Sequence, residues 1–368
     1  MAYSPARTRQ TLAVIERAEH LVPELLHAST EESVRALLRE GESLNTRRAY
    51  ASALNYWAAW FELRYGGSLA LPVAVPAILQ FVVDHLARTD PNGELVHDLP
   101  AQVDAALVRA RCKARCGALS LATVIHRLAV LSKAHQRRKL SNPVRDPAVR
   151  ELMRRARRAY AARGVRSQRA DALTKDPLEA LLATCTDGLR GVRDRALLLF
   201  AFSSGGRRRS EVAAATLESL TVIGADTYIY RLTQTKSDQA GTAANPHADK
   251  PIVGPAAEAL AAWLKVSGIK SGALFRRIRR TRVSEPLSAQ AVWLIVKRRA
   301  ALADLKGNYG AHSLRSGFVT EAGRQNVPLG ETMALSGHRS VQTAMRYFHT
   351  GRVQDSAAAR LIRRADRD

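Results

Sequence analysis

Cysteine is scarce in this chain, with three in 368 residues, which excludes a fold held together by a framework of disulfides. Cys112 and Cys116 are separated by three residues, but no second pair of ligands follows at the spacing that would complete a zinc site. Cys185 stands alone. We therefore expect three reduced thiols, as in a cytoplasmic protein.

Long apolar runs and metal-ligand patterns are also missing. No run approaches the roughly 18 residues of a membrane-spanning helix, and the first residues contain no signal-peptide core. His247 and His349 belong to no His-Glu-x-x-His pattern, and Asp194, Asp238 and Asp249 are too scattered for a two-metal nuclease or transposase. The sequence predicts no membrane association, no metal and no cofactor.

Acidic residues are outnumbered, since the chain has 57 Lys and Arg against 33 Asp and Glu, a net charge of +24. The excess is uneven. Residues 1–118 carry 13 basic and 13 acidic residues, residues 119–170 carry 14 and 2, and residues 171–368 carry 30 and 18. So strong a positive charge indicates a polyanionic partner, and half of it lies in one short stretch.

The first half of the sequence predicts helices only. Residues 1–42 form a helical extension with balanced charge, and 43–160 form a helical domain whose first helix is capped by Asn45 or Thr46. Its last two helices carry the charge excess, which favours contact with a DNA backbone over a merely solvated face. The candidate DNA-binding residues are Arg127, Lys133, Arg137, Arg138, Arg150, Arg154, Arg155, Arg157 and Arg158.

A linker at 161–171, which lacks a periodic apolar face, separates this part from a second domain at 172–350. Strands are expected only near 227–233 and 251–253, and the rest of that domain is expected to be helical, including 312–323, 329–336 and 341–347. Residues 351–368 predict a short tail helix whose apolar stripe is too small to be stable alone.

Four short motifs occur in a fixed order in the second domain. Arg208-Arg209-Ser210-Glu211 follows a Gly-Gly pair, and Lys236 lies in the predicted turn between the two strands. His312-Ser313-Leu314-Arg315 comes about a hundred residues after the first motif, and Gly337-His338 precedes Tyr347 by nine residues. Each motif is common alone, but the ordered set resembles the tyrosine recombinases of the phage integrase family.

The resemblance implies a mainly α fold with two domains forming a C-shaped clamp around duplex DNA. The first is a helical, SAM-like core-binding domain, and the second is an α+β catalytic domain with a small β-sheet. It also implies a site-specific recombinase or integrase that acts without a cofactor on double-stranded DNA. The recombinase would be a homo-oligomer, with a dimer on each site and a tetramer in synapsis. The tail at 351–368 would dock on a neighbouring protomer, although docking on its own domain stays open.

By the same resemblance, Tyr347 attacks the scissile phosphorus and forms a 3′-phosphotyrosyl link. Arg208 and Arg315 bind the non-bridging oxygens, and His338 hydrogen-bonds the same phosphate. His312 exchanges a proton with the tyrosine, Lys236 protonates the leaving 5′-oxygen, and Glu211 orients the site from behind. Only Arg208 stands three residues before Glu211, so Arg207 and Arg209 are interpreted as a solvated run.

Two other functions remain open at this stage. A type IB topoisomerase uses the same residue types to relax supercoils, and a non-catalytic DNA-binding protein could descend from a recombinase. The near-neutral amino terminus lacks the basic arm-binding domain of integrases that read two kinds of site, which puts accessory-site binding in doubt.

Overall fold

The computed structural model describes residues 28–165, 170–224, 227–232 and 248–352. The chain divides into two compact units, Met1–Arg166 and Ser167–Asp368. The division falls within the segment predicted as a linker. Both units are mainly helical with small sheets, so the predicted fold class is confirmed.

The described part of the first unit is built from helices and one two-stranded hairpin. The helices are α1 (Ala28–Glu40), α2 (Leu44–Tyr65), α3 (Val75–His85), α4 (Ala101–Arg109), α5 (Leu121–Arg137) and α6 (Pro147–Ala162). The hairpin joins β1 (Arg88–Thr89) to β2 (Leu95–Val96) around the sequence Asp90-Pro91-Asn92-Gly93. The prediction of an all-helical region was wrong at this hairpin.

Aromatic side chains hold α2 against α3. Trp57 stacks on Phe81 with ring centroids 3.7 Å apart, and Trp60 meets the same ring edge-on at 5.0 Å. The cap of α2 is Ser43, whose Oγ accepts from the Thr46 amide, so the predicted caps Asn45 and Thr46 were wrong. Ser43 is the cap because its extended backbone directs its hydroxyl toward the free amides of the first turn.

The second unit contains more strands than the sequence predicted. Its helices are α7 (Lys175–Ala183), α8 (Leu189–Ser203), α9 (Arg209–Ala214), α10 (Pro255–Ser267), α11 (Ala289–Leu302), α12 (Ala311–Arg324), α13 (Leu329–Ser336) and α14 (Val341–Arg352). Its strands are β3 (Leu220–Gly224), β4 (Thr227–Arg231), β5 (Asp249–Val253), β6 (Arg276–Arg279) and β7 (Arg282–Pro286). Strands β3, β4 and β5 form an antiparallel sheet in that order, and β6 pairs with β7.

A buried ion-pair network fixes α8 and α11 to each other. Asp194 accepts from the Arg193 guanidinium through Oδ1 and from Arg299 Nη2 through Oδ2, both at 2.6 Å. Arg299 also donates to the Thr184 carbonyl at the end of α7 at 2.6 Å. This network holds α8, whose carboxyl end leads directly into the Gly-Gly pair of the first motif.

Two glycines let α12 pack at very short range. A Cβ on Gly317 would lie 2.0 Å from the Leu173 carbonyl oxygen, and one on Gly323 would lie 2.3 Å from the Phe348 carbonyl oxygen. Gly323 therefore brings the backbone of α14 against α12. No helix of the described ranges is long and apolar enough to cross a membrane. The predicted tail helix lies outside these ranges beyond Arg352.

Candidate active site

A glycine loop joins α8 to α9 and touches both α12 and α13. Gly205 and Gly206 have φ angles of 96° and 69°, which residues other than glycine rarely adopt. A Cβ on Gly205 would lie 2.2 Å from the Leu335 carbonyl oxygen, and one on Gly206 would lie 2.5 Å from the Arg315 Cα. Glycine at both positions thus brings the first arginine motif into contact with the second.

Arg208 occupies the position before the first residue of α9. Its amide donates to Glu211 Oε2 at 3.0 Å, and its Nη1 donates to Glu211 Oε1 at 2.6 Å. The Glu211 side chain is almost fully buried, whereas that of Arg208 remains 30% exposed. Glu211 therefore fixes one edge of the guanidinium from within the protein and leaves the rest of it accessible to a ligand.

Arg315 lies on α12 and is buried. Its Nη1 donates to the Ser336 carbonyl at 2.6 Å and to the Gly206 carbonyl at 3.2 Å, while Nη2 lies 3.4 Å from His338 Nδ1. Burial, followed by the charges of Arg208 and Arg207, lowers the pKa of Arg315 to about 9, which leaves it cationic at pH 7. An anion between Arg208 and Arg315 would relieve this repulsion.

His338 follows the glycine that ends α13. Its Nδ1 lies 2.7 Å from Ser336 Oγ. Burial, followed by the charges of Arg315 and Arg208, lowers the pKa of His338 to about 4, so the ring is neutral at pH 7. Arg315 has only donors to offer, so we assign Nδ1 as the acceptor and the proton to Nε2.

Tyr347 lies on α14 and faces the amino-terminal end of α12. Its hydroxyl is 3.5 Å from His312 Nε2, at the outer limit of a hydrogen bond. Burial of the imidazole, together with Arg315 and Arg208, lowers the pKa of His312, which favours the neutral, proton-accepting form. His312 and Arg315 are one helical turn apart, so α12 presents both to the same side.

An open pocket adjoins these groups. Arg208, His312, Trp293 and Tyr309 contribute to its lining, together with the rest of the segment 308–311. Positive charge and an aromatic wall suit a phosphodiester and its neighbouring sugar or base. No cluster of His, Cys, Asp and Glu in the described ranges is arranged to hold a metal ion.

Two buried cations beside the site were missed in the sequence. Arg207 is 2% exposed, so its interpretation as part of a solvated run was wrong, while Arg209 is exposed as expected. Lys250 on β5 is 1% exposed. The alternation of exposed and buried residues along β5, with Lys250 and Ile252 pointing inward, is the pattern that could have revealed it. Lys236 lies outside the described residues.

The candidate DNA-binding residues lie on α5, on α6 and at the carboxyl end of α5. Those with exposed side chains are Lys133, Arg137, Arg138, Arg150, Arg154, Arg155, Arg157 and Arg158. Three of them already have partners, because Arg154 and Arg155 both bond Glu151 and Arg137 pairs with Glu42. Arg127 differs, since its guanidinium is partly buried 3.2 Å above the centre of the Tyr56 ring. We therefore exclude Arg127 from the exposed basic surface.

Comparison with known proteins places these features in a family. Residues 171–352 match the model of the phage integrase family. An integrase/recombinase XerD homolog of Selenomonas ruminantium is 29% identical over 336 residues, covering 88% of this chain and 87% of that protein. A tyrosine recombinase XerD of Staphylococcus aureus is 25% identical over 191 residues, which is 50% of this chain and 59% of that protein.

Solved structures share the fold at low sequence identity. A lambda integrase(75-356) dimer bound to a COC′ core site is 16% identical, with a TM-score of 0.54, covering 93% of this chain and 98% of that one. XerH site-specific recombinase bound to palindromic difH substrate is 17% identical, with a TM-score of 0.52, covering 92% of this chain and 85% of that one. These likenesses concern the fold.

Proposed function

Because this chain belongs to the phage integrase family of tyrosine recombinases, we propose that it exchanges DNA strands through a covalent 3′-phosphotyrosyl intermediate on Tyr347. The observation that carries the proposal is the convergence of one phenol, two histidines and two arginines from α9, α12, α13 and α14. Each of these groups has a separate task in moving a phosphoryl group without hydrolysis.

The two arginines stabilise the negative charge that develops on the oxygens of the scissile phosphate. Negative charge grows on the two non-bridging oxygens as the tyrosine oxygen approaches, and guanidinium groups meet these oxygens with two N–H bonds at once. Glu211 holds Arg208, and the carbonyls of Gly206 and Ser336 hold Arg315, so neither side chain needs to reorganise. His338 adds its Nε2–H as a third donor.

Cleavage transfers the tyrosine proton and exchanges one bond to phosphorus for another. The Tyr347 hydroxyl gives its proton to His312 Nε2 as the bond from its oxygen to phosphorus forms. The bond from phosphorus to the 5′-oxygen breaks, and we assign the protonation of that oxygen to Lys236, on the resemblance alone. Rejoining reverses these steps with a 5′-hydroxyl from another strand.

Duplex DNA is the proposed substrate, held in part by the exposed arginines and lysine of α5 and α6. We further propose that the active form is an oligomer, with a dimer on each site and a tetramer in synapsis. Support comes from relatives, since the lambda integrase and XerH structures contain DNA, and a lambda integrase tetramer bound to a Holliday junction shares the fold with a TM-score of 0.50. Recombination joins two sites, so one protomer on one site is insufficient.

A nicked suicide substrate tests the proposal. The duplex carries the junction sequence of the DNA element that surrounds the gene. A nick just 3′ of the scissile phosphate lets the short fragment with the free 5′-hydroxyl diffuse away, which traps the adduct. We expect a protein-DNA band on a denaturing gel with the unaltered chain and with Tyr309→Phe, but not with Tyr347→Phe. Tyr309 is the matched control because it is another phenol, in the lining of the pocket that adjoins the site.

Supercoiled plasmids separate recombination from simple relaxation. We expect recombinant products only when two copies of the junction sequence are present. Relaxation of plasmids that lack the sequence, with no recombinants from plasmids that contain it, would instead identify a topoisomerase. An adduct that persists in Tyr347→Phe would move the nucleophile to another residue.

A further inference from the structure

The carboxyl end of α13 is held by three cations from three other parts of the second unit. Lys250 Nζ on β5 donates to the Ala334 carbonyl at 2.8 Å, and Arg207 Nη2 donates to the Leu335 carbonyl at 2.8 Å. Arg315 Nη1 on α12 donates to the Ser336 carbonyl at 2.6 Å. Three successive carbonyls of one helix thus receive three positively charged donors.

These three side chains, together with two backbone amides, provide a hydrogen-bond donor for every carbonyl in the last turn of α13. An α-helix leaves its final carbonyls without partners inside the helix, and its carboxyl end carries partial negative charge. The remaining carbonyl of this turn, that of Met333, accepts from the amides of Gly337 and His338 at 2.7 and 3.2 Å. Gly337 adopts the left-handed conformation that such an ending requires, with φ of 70°.

The helix end determines where His338 lies. Its amide is bonded to the last turn of α13, and its Nδ1 is bonded to Ser336 Oγ, a side chain of that same turn. A shift of this turn would therefore carry both the backbone and the imidazole of His338. Among the three cations, Arg315 also lies within bonding distance of the ring. Lys250 and Arg207 reach His338 through the bonds that they donate to the helix, and the charge of Arg207 also contributes to the lowered pKa of the ring.

We propose that Lys250 and Arg207 are positioning residues that keep the Nε2–H of His338 directed at the scissile phosphate by fixing the carboxyl end of α13. The inference rests on the proposed function, since it assigns these two side chains to the same site. Neither side chain needs to touch DNA, because both are almost completely buried.

The cost of burying these two cations indicates a specific role. A hydrophobic side chain would fill the same volume without the large loss of solvation free energy that a buried charge incurs. Burial, followed by the charge of Arg207, lowers the pKa of Lys250 to about 8, which shows how strongly its surroundings oppose the charge. Glu211 offsets part of this charge, since its Oε2 lies 3.6 Å from Arg207 Nη1. The chain keeps both cations where carbonyl oxygens need donors.

Lys250→Met and Arg207→Leu test the proposal, since each keeps most of the volume and removes the donor. We expect DNA affinity within about threefold of the unaltered chain and a single-turnover cleavage rate lowered about tenfold or more, as a small displacement of a catalytic group produces. Lys265→Met is the matched control, because Lys265 is exposed on α10. Far-ultraviolet circular dichroism and thermal unfolding identify any variant that fails to fold, and Lys250→Arg restores a donor if Lys250→Met does not fold.

Nitrogen-15 NMR of the histidine rings provides a readout that a general loss of stability does not move. The signals of His338 are assigned by comparison with His338→Gln. In the unaltered chain at pH 7 we expect an unprotonated Nδ1 and a protonated Nε2. In both donor-deleted variants we expect a mixture of the two tautomers, and Lys250→Arg should bring the Nε2–H form back.

The NMR result keeps this inference separate from the proposed function. If the unaltered chain shows the Nε2–H form but forms no adduct with any substrate, the proposed function is wrong, whereas the positioning of His338 is not contradicted. Variants that cleave at the unaltered rate, or that cleave slowly with unchanged His338 signals, would overturn the positioning role.

Discussion

Arg208 and Arg315 are each held by acceptors at one edge of the guanidinium, while the rest of Arg208 is partly exposed and Nη2 of Arg315 faces His338. The Glu211 carboxylate holds one, and the carbonyls of Gly206 and Ser336 hold the other. Such preorganisation makes a charge effective in a transition state, because no free energy is spent on orienting it during the reaction.

We expect Arg208→Ala and Arg315→Ala each to slow cleavage by roughly 100-fold to 1,000-fold, the usual effect of deleting a preorganised oxyanion donor. Single-turnover cleavage of the nicked substrate at saturating protein measures the rate. Arg209→Ala is the neighbouring control, and we expect less than about a threefold change because its side chain is exposed beside the site. Equal losses in Arg208→Ala and Arg209→Ala would mean that the motif has been read in the wrong register.

Sequence spacing predicted the polar part of this site and missed its buried support. The three-residue interval to Glu211 selects Arg208, because one turn of helix returns the carboxylate to the preceding backbone amide. Arg207 and Lys250 could not be recognised in the same way. Their partners are carbonyls of α13, far away in sequence, and backbone oxygens leave no mark in the amino-acid pattern.

At the scale of elements, the packing of α12 on α14 determines how close Tyr347 comes to His312. Gly323 allows the contact, because the Phe348 carbonyl oxygen occupies the space that a larger side chain would need. Val319 and Ala322 of α12 pack with Phe348 on the same interface, so the two helices share an apolar seam beside the tyrosine.

Gly323→Ala should separate these helices. We expect the free energy of unfolding to fall by about 1–3 kcal/mol through overpacking, with slower cleavage because the tyrosine hydroxyl moves away from its proton acceptor. Urea unfolding and single-turnover cleavage measure the two effects. Gly330→Ala is the control, because a Cβ there would meet no atom within 4 Å and alanine favours a helix. Unchanged cleavage in Gly323→Ala would contradict the assigned role of the seam.

The first unit carries a pH-dependent element in the buried His85 of α3. Its Nδ1 lies 2.7 Å from the Phe81 carbonyl and its Nε2 lies 2.6 Å from the Tyr56 hydroxyl. The carbonyl can only accept, so Nδ1 carries the proton and the neutral ring is fully bonded. Burial lowers the pKa of His85 to about 3, opposed by the bond to Phe81.

Acid should therefore weaken the first unit. The unfolded state takes up a proton below the ordinary histidine pKa of about 6.5 and the folded state does not, so this part of the stability is complete above that pH and declines toward pH 3 by about 1.4 kcal/mol per pH unit. Urea unfolding at pH 7 and pH 5, followed by pulsed hydrogen exchange on peptides from α3, measures it. His85→Gln should show a smaller decline, and an equal decline would assign the effect to other groups.

The elements themselves were predictable wherever apolar residues recur at helical spacing. Helices α12, α13 and α14 begin within about one residue of their predicted starts, although α14 continues to Arg352. Strand β6 (Arg-Arg-Ile-Arg) has one apolar residue, and β7 (Arg-Val-Ser-Glu-Pro) has one before its final proline, so neither sequence shows the alternation of a half-buried strand. Strand β3 is largely exposed, so no buried face imposes an alternation of apolar and polar residues from which the strand could be predicted.

At the scale of the whole molecule, the charge distribution gives a quantitative expectation for DNA binding. If six or more phosphates are neutralised, the slope of log affinity against log salt for nonspecific duplex is about −5 or steeper. Arg157→Glu with Arg158→Glu should flatten that slope by about two, because two contacts are lost. Arg154 and Arg155 are less suitable, since both are bonded to Glu151.

Titrating labelled duplex at several salt concentrations measures the slope. Arg39→Glu on α1 is the control for charge alone, because that segment has nearly balanced charge and is not expected to contact DNA. A slope that Arg157→Glu with Arg158→Glu leaves unchanged would put the basic face of α6 away from the DNA. The clamp around DNA and the exchange of tails stay predictions, since the sequence supplies them only through the resemblance.

Mass spectrometry of the trapped adduct shows whether Tyr347 is the residue that becomes bonded to DNA. Trypsin cuts after Arg346 and after Arg352, so Tyr347 is released in a peptide of residues 347–352 that contains one tyrosine. After nuclease digestion of the DNA, we expect the mass of a nucleotide phosphate on that tyrosine. A nucleotide attached to any other peptide, or an unmodified 347–352 peptide recovered from purified adduct, would contradict the account.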